Sequence, residues 1–309
     1  MESKEAQMHV LITGGTGLIG SALAKSLIDS KCEVTILTRS PDRQLSFASE
    51  GVRFERWDGE TETSWGHLVT EVDAIVNLAG AGIADGRWTR DRKEQIRESR
   101  VKAGHALVSA IRNAEAVPKV VIQSSAVGYY GPGDDQIVTE EASPGTDFLA
   151  GVCVDWESST ESVESMGVRR VVIRTGVVLS ALGGALPRMT LPFRLFAGGP
   201  LGNGKQYFPW IHIDDEVAAI RFLLENEDAS GPFNLAAPNP PTNKEFVRYI
   251  GKAMGRPSLL PTPSLALRTL FGEMSTVLLD GQRAVPTRLQ EAGYEFSYPD
   301  PVAALRDLL

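Results

Sequence analysis

The sequence predicts an α/β protein in which a doubly wound parallel sheet is joined to a smaller, mostly helical C-terminal domain. Three observations carry this reading. Short apolar runs alternate with segments of helical spacing up to about residue 176, the pattern of parallel strands covered on both faces. The first apolar run ends in a cluster of glycines that opens a helix. From Pro238 onward the chain is rich in proline and breaks into short helical pieces.

Each element follows from its local pattern. Residues 8–13 are a buried strand, 17–30 an amphipathic helix and 33–38 a β-branched strand. A weaker strand covers 52–57, and another covers 73–78, ending in Ala79-Gly80. The long, densely charged segment 88–112 has helical spacing, and 119–125 is a strand that breaks into Tyr, Gly and Pro. Helix at 150–166 and strand at 169–175 complete the alternation. Right-handed crossovers then fold these units into a doubly wound sheet. Beyond Gly176 come glycine-rich loops, a strand at 208–213, a helix at 214–225 and a last strand at 232–235. These boundaries give a first domain over 8–236, with 176–209 supplying substrate loops, and a small C-terminal domain over 237–309.

Composition narrows the function. The 309 residues are 42% hydrophobic and 23% charged, enough to build a sizeable core. The net charge of -8 gives no bulk attraction to phosphate backbones or anionic lipid, so nucleic-acid and membrane partners are not expected. No apolar run reaches the roughly 18–20 residues of a membrane span, and the first seven residues lack the apolar core of a secretory signal. The two cysteines, Cys32 and Cys153, are too few for a disulfide framework or a zinc cluster, and no metal site is expected. Two buried, reduced thiols fit a soluble cytoplasmic protein.

The glycine cluster reads Thr13-Gly14-Gly15-Thr16-Gly17-Leu18-Ile19-Gly20. Strand before, helix after and Gly-x-x-Gly-x-x-Gly spacing together make it a dinucleotide phosphate loop of the Rossmann type. Gly14 permits the tight turn, Gly17 lets backbone approach a pyrophosphate, and Gly20 allows helix and strand to pack closely. Thr16, Leu18 and Ile19 complete the helix start, whose free N–H groups favour an anion. An NAD site carries an acid about 20 residues further on. This strand instead ends Leu37-Thr38-Arg39-Ser40. Arg39 offers a forked contact to a 2′-phosphate and Ser40 adds a hydroxyl, so NADP(H) is the expected cofactor. Asp58 stands where an adenine amino group would be held, and Leu78, Ala79 and Gly80 would line the crevice.

With these motifs in hand, the sequence resembles the extended short-chain dehydrogenase/reductases, the NAD-dependent epimerase/dehydratase-like proteins. The resemblance rests on the glycine motif, Asn77-Leu78-Ala79-Gly80, Ser124-Ser125-Ala126-Val127-Gly128-Tyr129-Tyr130-Gly131, Arg174-Thr175-Gly176-Val177-Val178 and Trp210-Ile211-His212-Ile213-Asp214-Asp215. Arg87-Trp88-Thr89, Ser99-Arg100-Val101, Asp155-Trp156-Glu157 and the tail from Pro286 to Phe296 are similar to one atypical branch. Its members are labelled epimerase family proteins, carry a small C-terminal domain of unknown function, and sometimes bear a cell-division-inhibitor label.

That resemblance implies a Ser, Tyr and Lys as the proton-handling set. Ser125 occupies the Ser position, four residues before Tyr129. The Tyr-x-x-x-Lys pair is missing, because no Tyr in the chain has Lys four residues later. In the helix that would hold it, Cys153 and Glu157 take the Tyr and Lys positions. Candidates for the chemistry are therefore Ser125, Tyr129, Tyr130, Cys153 and Glu157. His212 is expected to link the substrate loop to the sheet, as the resemblance implies. Two readings stand: an NADP(H)-dependent oxidoreductase or epimerase acting on a small polar molecule, and a catalytically silent NADP(H)-binding regulator acting through a protein partner, for instance in cell division. A homodimer is compatible with both.

Overall fold

The computed structural model describes residues 7–41 and 52–309; the N-terminal segment read above lies, apart from Gln7, outside them. The chain lays down β1 (His9–Thr13), α1 (Leu18–Asp29), β2 (Glu33–Thr38), β3 (Val52–Arg56), β4 (Ala74–Asn77), α2 (Arg90–Asn113) and β5 (Val120–Ala126). It continues through β6 (Ile137–Val138), α3 (Phe148–Ser158), β7 (Arg169–Thr175), β8 (Val177–Ser180), β9 (Gly183–Gly184), α4 (Leu186–Arg194), β10 (Trp210–His212), α5 (Ile213–Glu225) and β11 (Gly231–Leu235). The last stretch is α6 (Asn243–Met254), α7 (Ser264–Phe271), α8 (Thr276–Leu279), β12 (Arg283–Ala284), α9 (Thr287–Glu291) and α10 (Pro301–Leu308).

Seven strands form one sheet in the order β11-β7-β5-β4-β1-β2-β3. Every pairing in it is parallel, with Val10 beside both Val34 and Ala74 in the centre. Helices cover both faces. On one, Leu23 and Leu27 of α1 and Ile220 and Leu223 of α5 share a core with Ile12, Val34, Val76 and Ile122. On the other, Leu107 and Ile111 of α2 pack with Leu11, Ile75 and Val121. Each such side chain contributes about 1.5–3 kcal/mol by leaving water. This is the doubly wound Rossmann-type sheet the alternation predicts. Among the described residues no helix is long and apolar enough to cross a membrane.

Local chemistry shifts some boundaries. The helix expected over 150–166 is α-helical only to Ser158 and then a 3₁₀ segment over Glu161–Met166. Ser158 and Ser159 donate back to the carbonyls of Asp155 and Trp156, which competes with the helical ladder. The loops after Gly176 contain more order than expected. β8 pairs with β10 and β9, and α4 forms despite Pro192 in its interior. Cys153 is buried as expected, whereas Cys32 is only half-buried.

The C-terminal region closes on the sheet's carboxyl side. Leu179, Phe193 and Trp210 share a core with Phe246, Ile250 and Leu305. Buried Asp215 accepts from the Ser297 and Tyr298 N–H groups, each at 2.8 Å, and from the Tyr294 hydroxyl. His212 is buried, caps α5 by accepting from the Asp214 N–H at 3.1 Å, and stacks on Tyr298 at 3.9 Å. It therefore joins the segment before α5 to the tail.

Glu216 has no exposed surface, and its Oε2 has no partner among the described residues. Among those residues only the Thr175 hydroxyl, at 2.9 Å, donates to it, and burial pushes its carboxyl up to about 8. Below about pH 4.5 both folded and unfolded chains hold this proton. Between there and pH 8 the native state keeps a proton that the unfolded state has lost. Stability therefore falls by about 1.4 kcal/mol per pH unit across that window and levels off above it. Glu216→Gln is expected to remove this slope. Urea denaturation from pH 5 to 9 checks it, and identical slopes in the two proteins would contradict the assignment.

Candidate functional site

The carboxyl ends of β1, β4, β5 and β7 lie side by side along one edge of the sheet. A buried polar ladder fixes the first three. The Thr13 hydroxyl donates to Asn77 Oδ1 at 2.6 Å and accepts from the Leu78 and Ala79 N–H groups. Asn77 Nδ2 donates to Gln123 Oε1 at 2.8 Å. The ladder sets where Leu78, Ala79 and Gly80 leave the sheet, with Gly80 exposed at its lip.

The β1–α1 turn lies beside them. Gly14 has φ +67, and a Cβ there would sit 2.7 Å from the Leu78 carbonyl oxygen. A Cβ on Gly20 would lie 2.4 Å from the Gly14 oxygen. These two glycines are required by the fold itself. Gly17 differs: it is exposed, and a Cβ there meets only the Gly14 oxygen, at 3.2 Å. It is the N-cap of α1 and no side chain caps that helix. By contrast Thr89, Asp147, Thr242 and Asp300 cap α2, α3, α6 and α10 with their own oxygens. The donors at Leu18 and Ile19 are thus left for an external acceptor. Thr16, Gly17 and Leu18 also border an open groove of about 1020 Å³ between α1 and α5, which none of the five proton-handling candidates lines.

Arg39 and Ser40 are exposed just past β2. Asp58 sits in a turn, where its carboxylate accepts from the Glu60 and Thr61 N–H groups and the Thr61 hydroxyl; these bonds, the Thr61 N–H first, lower its pKa.

Among the proton-handling candidates, the structure joins two directly. The Ser125 hydroxyl, at the end of β5, donates to Glu157 Oε1 on α3 at 2.7 Å. Arg174 on β7 grips the same carboxylate with both arms, Nε to Oε1 at 2.8 Å and Nη2 to Oε2 at 2.9 Å. Both side chains are well buried, at 5% and 13% exposed. Such a forked pair fixes geometry as well as charge. Arg174 also donates to the Glu140 carbonyl and the Tyr130 hydroxyl, and its guanidinium lies 3.5 Å over the Tyr129 ring.

The other candidates are differently engaged. The Tyr130 hydroxyl donates to Asn234 Oδ1 at 2.6 Å, and burial pushes its pKa up to about 12. Tyr129 serves as a face for Arg174. Burial first, then the Glu157 carboxylate, raises the Cys153 thiol to about 11, so at neutral pH it is a neutral S–H. Arg174 was visible in the sequence only inside a motif, and its partner lies on another element 17 residues away.

A Rossmann sheet with an uncapped glycine turn and a polar cluster at its carboxyl edge defines a nucleotide-binding α/β protein. The chain belongs to the NAD dependent epimerase/dehydratase family, whose model matches residues 10–236. A second model, a domain of unknown function (DUF1731), matches residues 262–308. The chain is 40% identical over 303 residues to an epimerase family protein of Staphylococcus saprophyticus, covering 97% of this chain and 99% of that one. It is similar in structure to human epimerase family protein SDR39U1 (isoform 2), crystallised with NADPH, with TM-score 0.85 and 35% identity over 97% of this chain and 99% of that chain. A nucleoside-diphosphate sugar epimerase from Corynebacterium glutamicum aligns with TM-score 0.78 and 34% identity over 98% of this chain and 58% of that one.

Proposed function

We propose that the protein binds NADP(H) at the β1–α1 turn and carries out oxidoreductase- or epimerase-type chemistry on a small polar substrate. The observation that carries this is the Ser125 hydroxyl held on the Glu157 carboxylate, itself pinned by Arg174. The turn is compatible with the cofactor: Gly17 is exposed, Leu18 and Ile19 offer donors, and the exposed Arg39 and Ser40 just past β2 would read a 2′-phosphate. NADPH in the human relative supports the same choice. The bound cofactor supplies a hydride donor or acceptor. The chain's own part is the proton. A substrate hydroxyl at Ser125 passes its proton to the serine as the serine's proton passes to Glu157, and the reverse transfer protonates a product alkoxide. Arg174 keeps the carboxylate aligned through the cycle. Two free cysteines support a reducing, cytosolic setting.

The competing reading, a silent NADP(H)-binding regulator acting through a protein partner, is favoured by the missing Tyr-x-x-x-Lys pair. Two measurements decide. Dissociation constants for NADPH and NADH should differ at least tenfold in the wild type and converge in Arg39→Ala, because a charge-assisted bond is worth about 1.5–3 kcal/mol. Equal wild-type affinities would remove the NADP(H) assignment. NADPH consumption across a panel of carbonyl compounds then separates enzyme from regulator. Glu157→Gln should lower kcat by about 10²–10⁴ on any compound turned over. Tight binding with no consumption would carry the regulator reading instead.

A further inference from the structure

Among the described residues Arg100 pairs with no acid. It projects from α2 toward α3, where its guanidinium carbon lies 4.8 Å from the centre of the Trp156 ring. Its Nη1 donates to the Ile96 carbonyl at 2.8 Å. Nε and Nη2 have no acceptor among the described residues, and no carboxylate pairs with the group. The surrounding arginines differ: Arg92, Arg97, Arg170 and Arg174 each face an acid. Burial lowers the Arg100 pKa to about 10, so it stays charged at neutral pH.

Its position gives that charge a use. Gly80, exposed just past the carboxyl end of β4, borders the guanidinium so closely that a Cβ there would lie 3.0 Å from Cζ and 3.2 Å from Nε. Cys153, one helical turn before Glu157, is within its electrostatic reach. The acid of this site is already consumed, because Arg174 holds both Glu157 oxygens. The charge left without an acid near Gly80 and Cys153 is therefore positive. An Nε/Nη2 edge presents two parallel donors, the geometry that a carboxylate or phosphate accepts side-on.

We infer that Arg100 is an anion-binding residue of this site, holding an oxyanion group of the substrate through Nε and Nη2, and that the substrates are small hydroxy or carbonyl compounds carrying a carboxylate. This rests on the site assignment above and names its substrate class. The same chemistry would also take a phosphate of the dinucleotide, so the test has separate arms. NADPH affinity is measured by titration calorimetry in wild type, Arg100→Gln and Arg100→Lys. Oxalate, with uncharged oxamide as control, is then titrated into each protein with and without saturating NADPH.

Wild type is expected to bind oxalate and not oxamide. Oxalate binding should weaken at least tenfold in Arg100→Gln and recover in part in Arg100→Lys, while NADPH affinity changes less than about threefold. No oxalate binding to wild type, or binding indifferent to residue 100, overturns the inference. A tenfold loss of NADPH affinity with oxalate unchanged assigns Arg100 to a dinucleotide phosphate and overturns it as well. If Arg100→Gln fails to fold, the lysine variant decides, because it keeps the charge and loses the fork. Failure of wild type to bind NADPH would sink the cofactor assignment, while oxalate binding to the free protein still reports on Arg100.

Discussion

Gly17→Val is expected to weaken NADPH binding by at least about 100-fold in a protein that still folds. Gly17 has ordinary extended geometry, φ -79 and ψ 179, which valine adopts readily. Its Cβ position meets only one backbone oxygen, at 3.2 Å. A Cβ there asks the Gly14 carbonyl to give by only a few tenths of an ångström, in contrast to Gly14 with its positive φ and Gly20 with its contact at 2.4 Å. A branched side chain at residue 17 would occupy the space a pyrophosphate needs to reach the first N–H groups of α1. Losing two charge-assisted bonds of about 1.5–3 kcal/mol each gives the stated factor. Fluorescence titration with NADPH, alongside far-UV circular dichroism and a thermal melt, tests it. Tight binding in a folded valine variant would take Gly17 out of the site.

Arg174→Met is expected to destabilise the fold by about 3–5 kcal/mol, the usual result of stripping one partner from a buried ion pair. Methionine keeps the apolar stem but leaves the Glu157 carboxylate, 13% exposed, without its cation. The Glu140 carbonyl and the Tyr130 hydroxyl lose a donor at the same time. Adding Glu157→Gln should recover much of the loss, since the stranded charge is its main source. Urea unfolding of wild type, both single variants and the double variant forms the cycle that measures the coupling. Additive effects would mean that the pair is not energetically linked. Turnover should fall in Arg174→Met even where the protein is folded, because the carboxylate beside Ser125 is no longer aligned.

Much of this architecture is legible in the sequence because it is local. The β-branched run 33–38 is β2 residue for residue, and the glycine spacing places the start of α1 correctly. Pairing across elements is not written locally. Glu157 reads as a charge on a helix and Arg174 as part of a strand motif, and only the packing of α3 on the sheet brings them together. Arg100 lies in a helix dense with charges, and periodicity alone assigns such residues to solvent. Glu216 follows two aspartates at a helix start, where acids usually sit in water; the tail from Tyr294 to Tyr298 binds the neighbouring Asp215, and Glu216 itself has no exposed surface. Pro187 and Pro192 disguise α4, since proline within a helical pattern signals a break.

The strand order has a consequence for how the chain is made. Synthesis delivers β1 to β5 as a contiguous, mutually paired block, complete once Ala126 has left the ribosome. β7 then docks on β5, but its outer edge waits for β11, which ends at Leu235. During that interval Val171, Val172 and Ile173 belong to an apolar strand with an unpaired edge, the feature that invites strand exchange between nascent chains. The tail adds a second delay, because Asp215 receives its Ser297 and Tyr298 donors only 82 and 83 residues further along the chain. Pauses in translation between residues 175 and 235 would lengthen the vulnerable interval, and release within it would yield a protein with an open sheet edge.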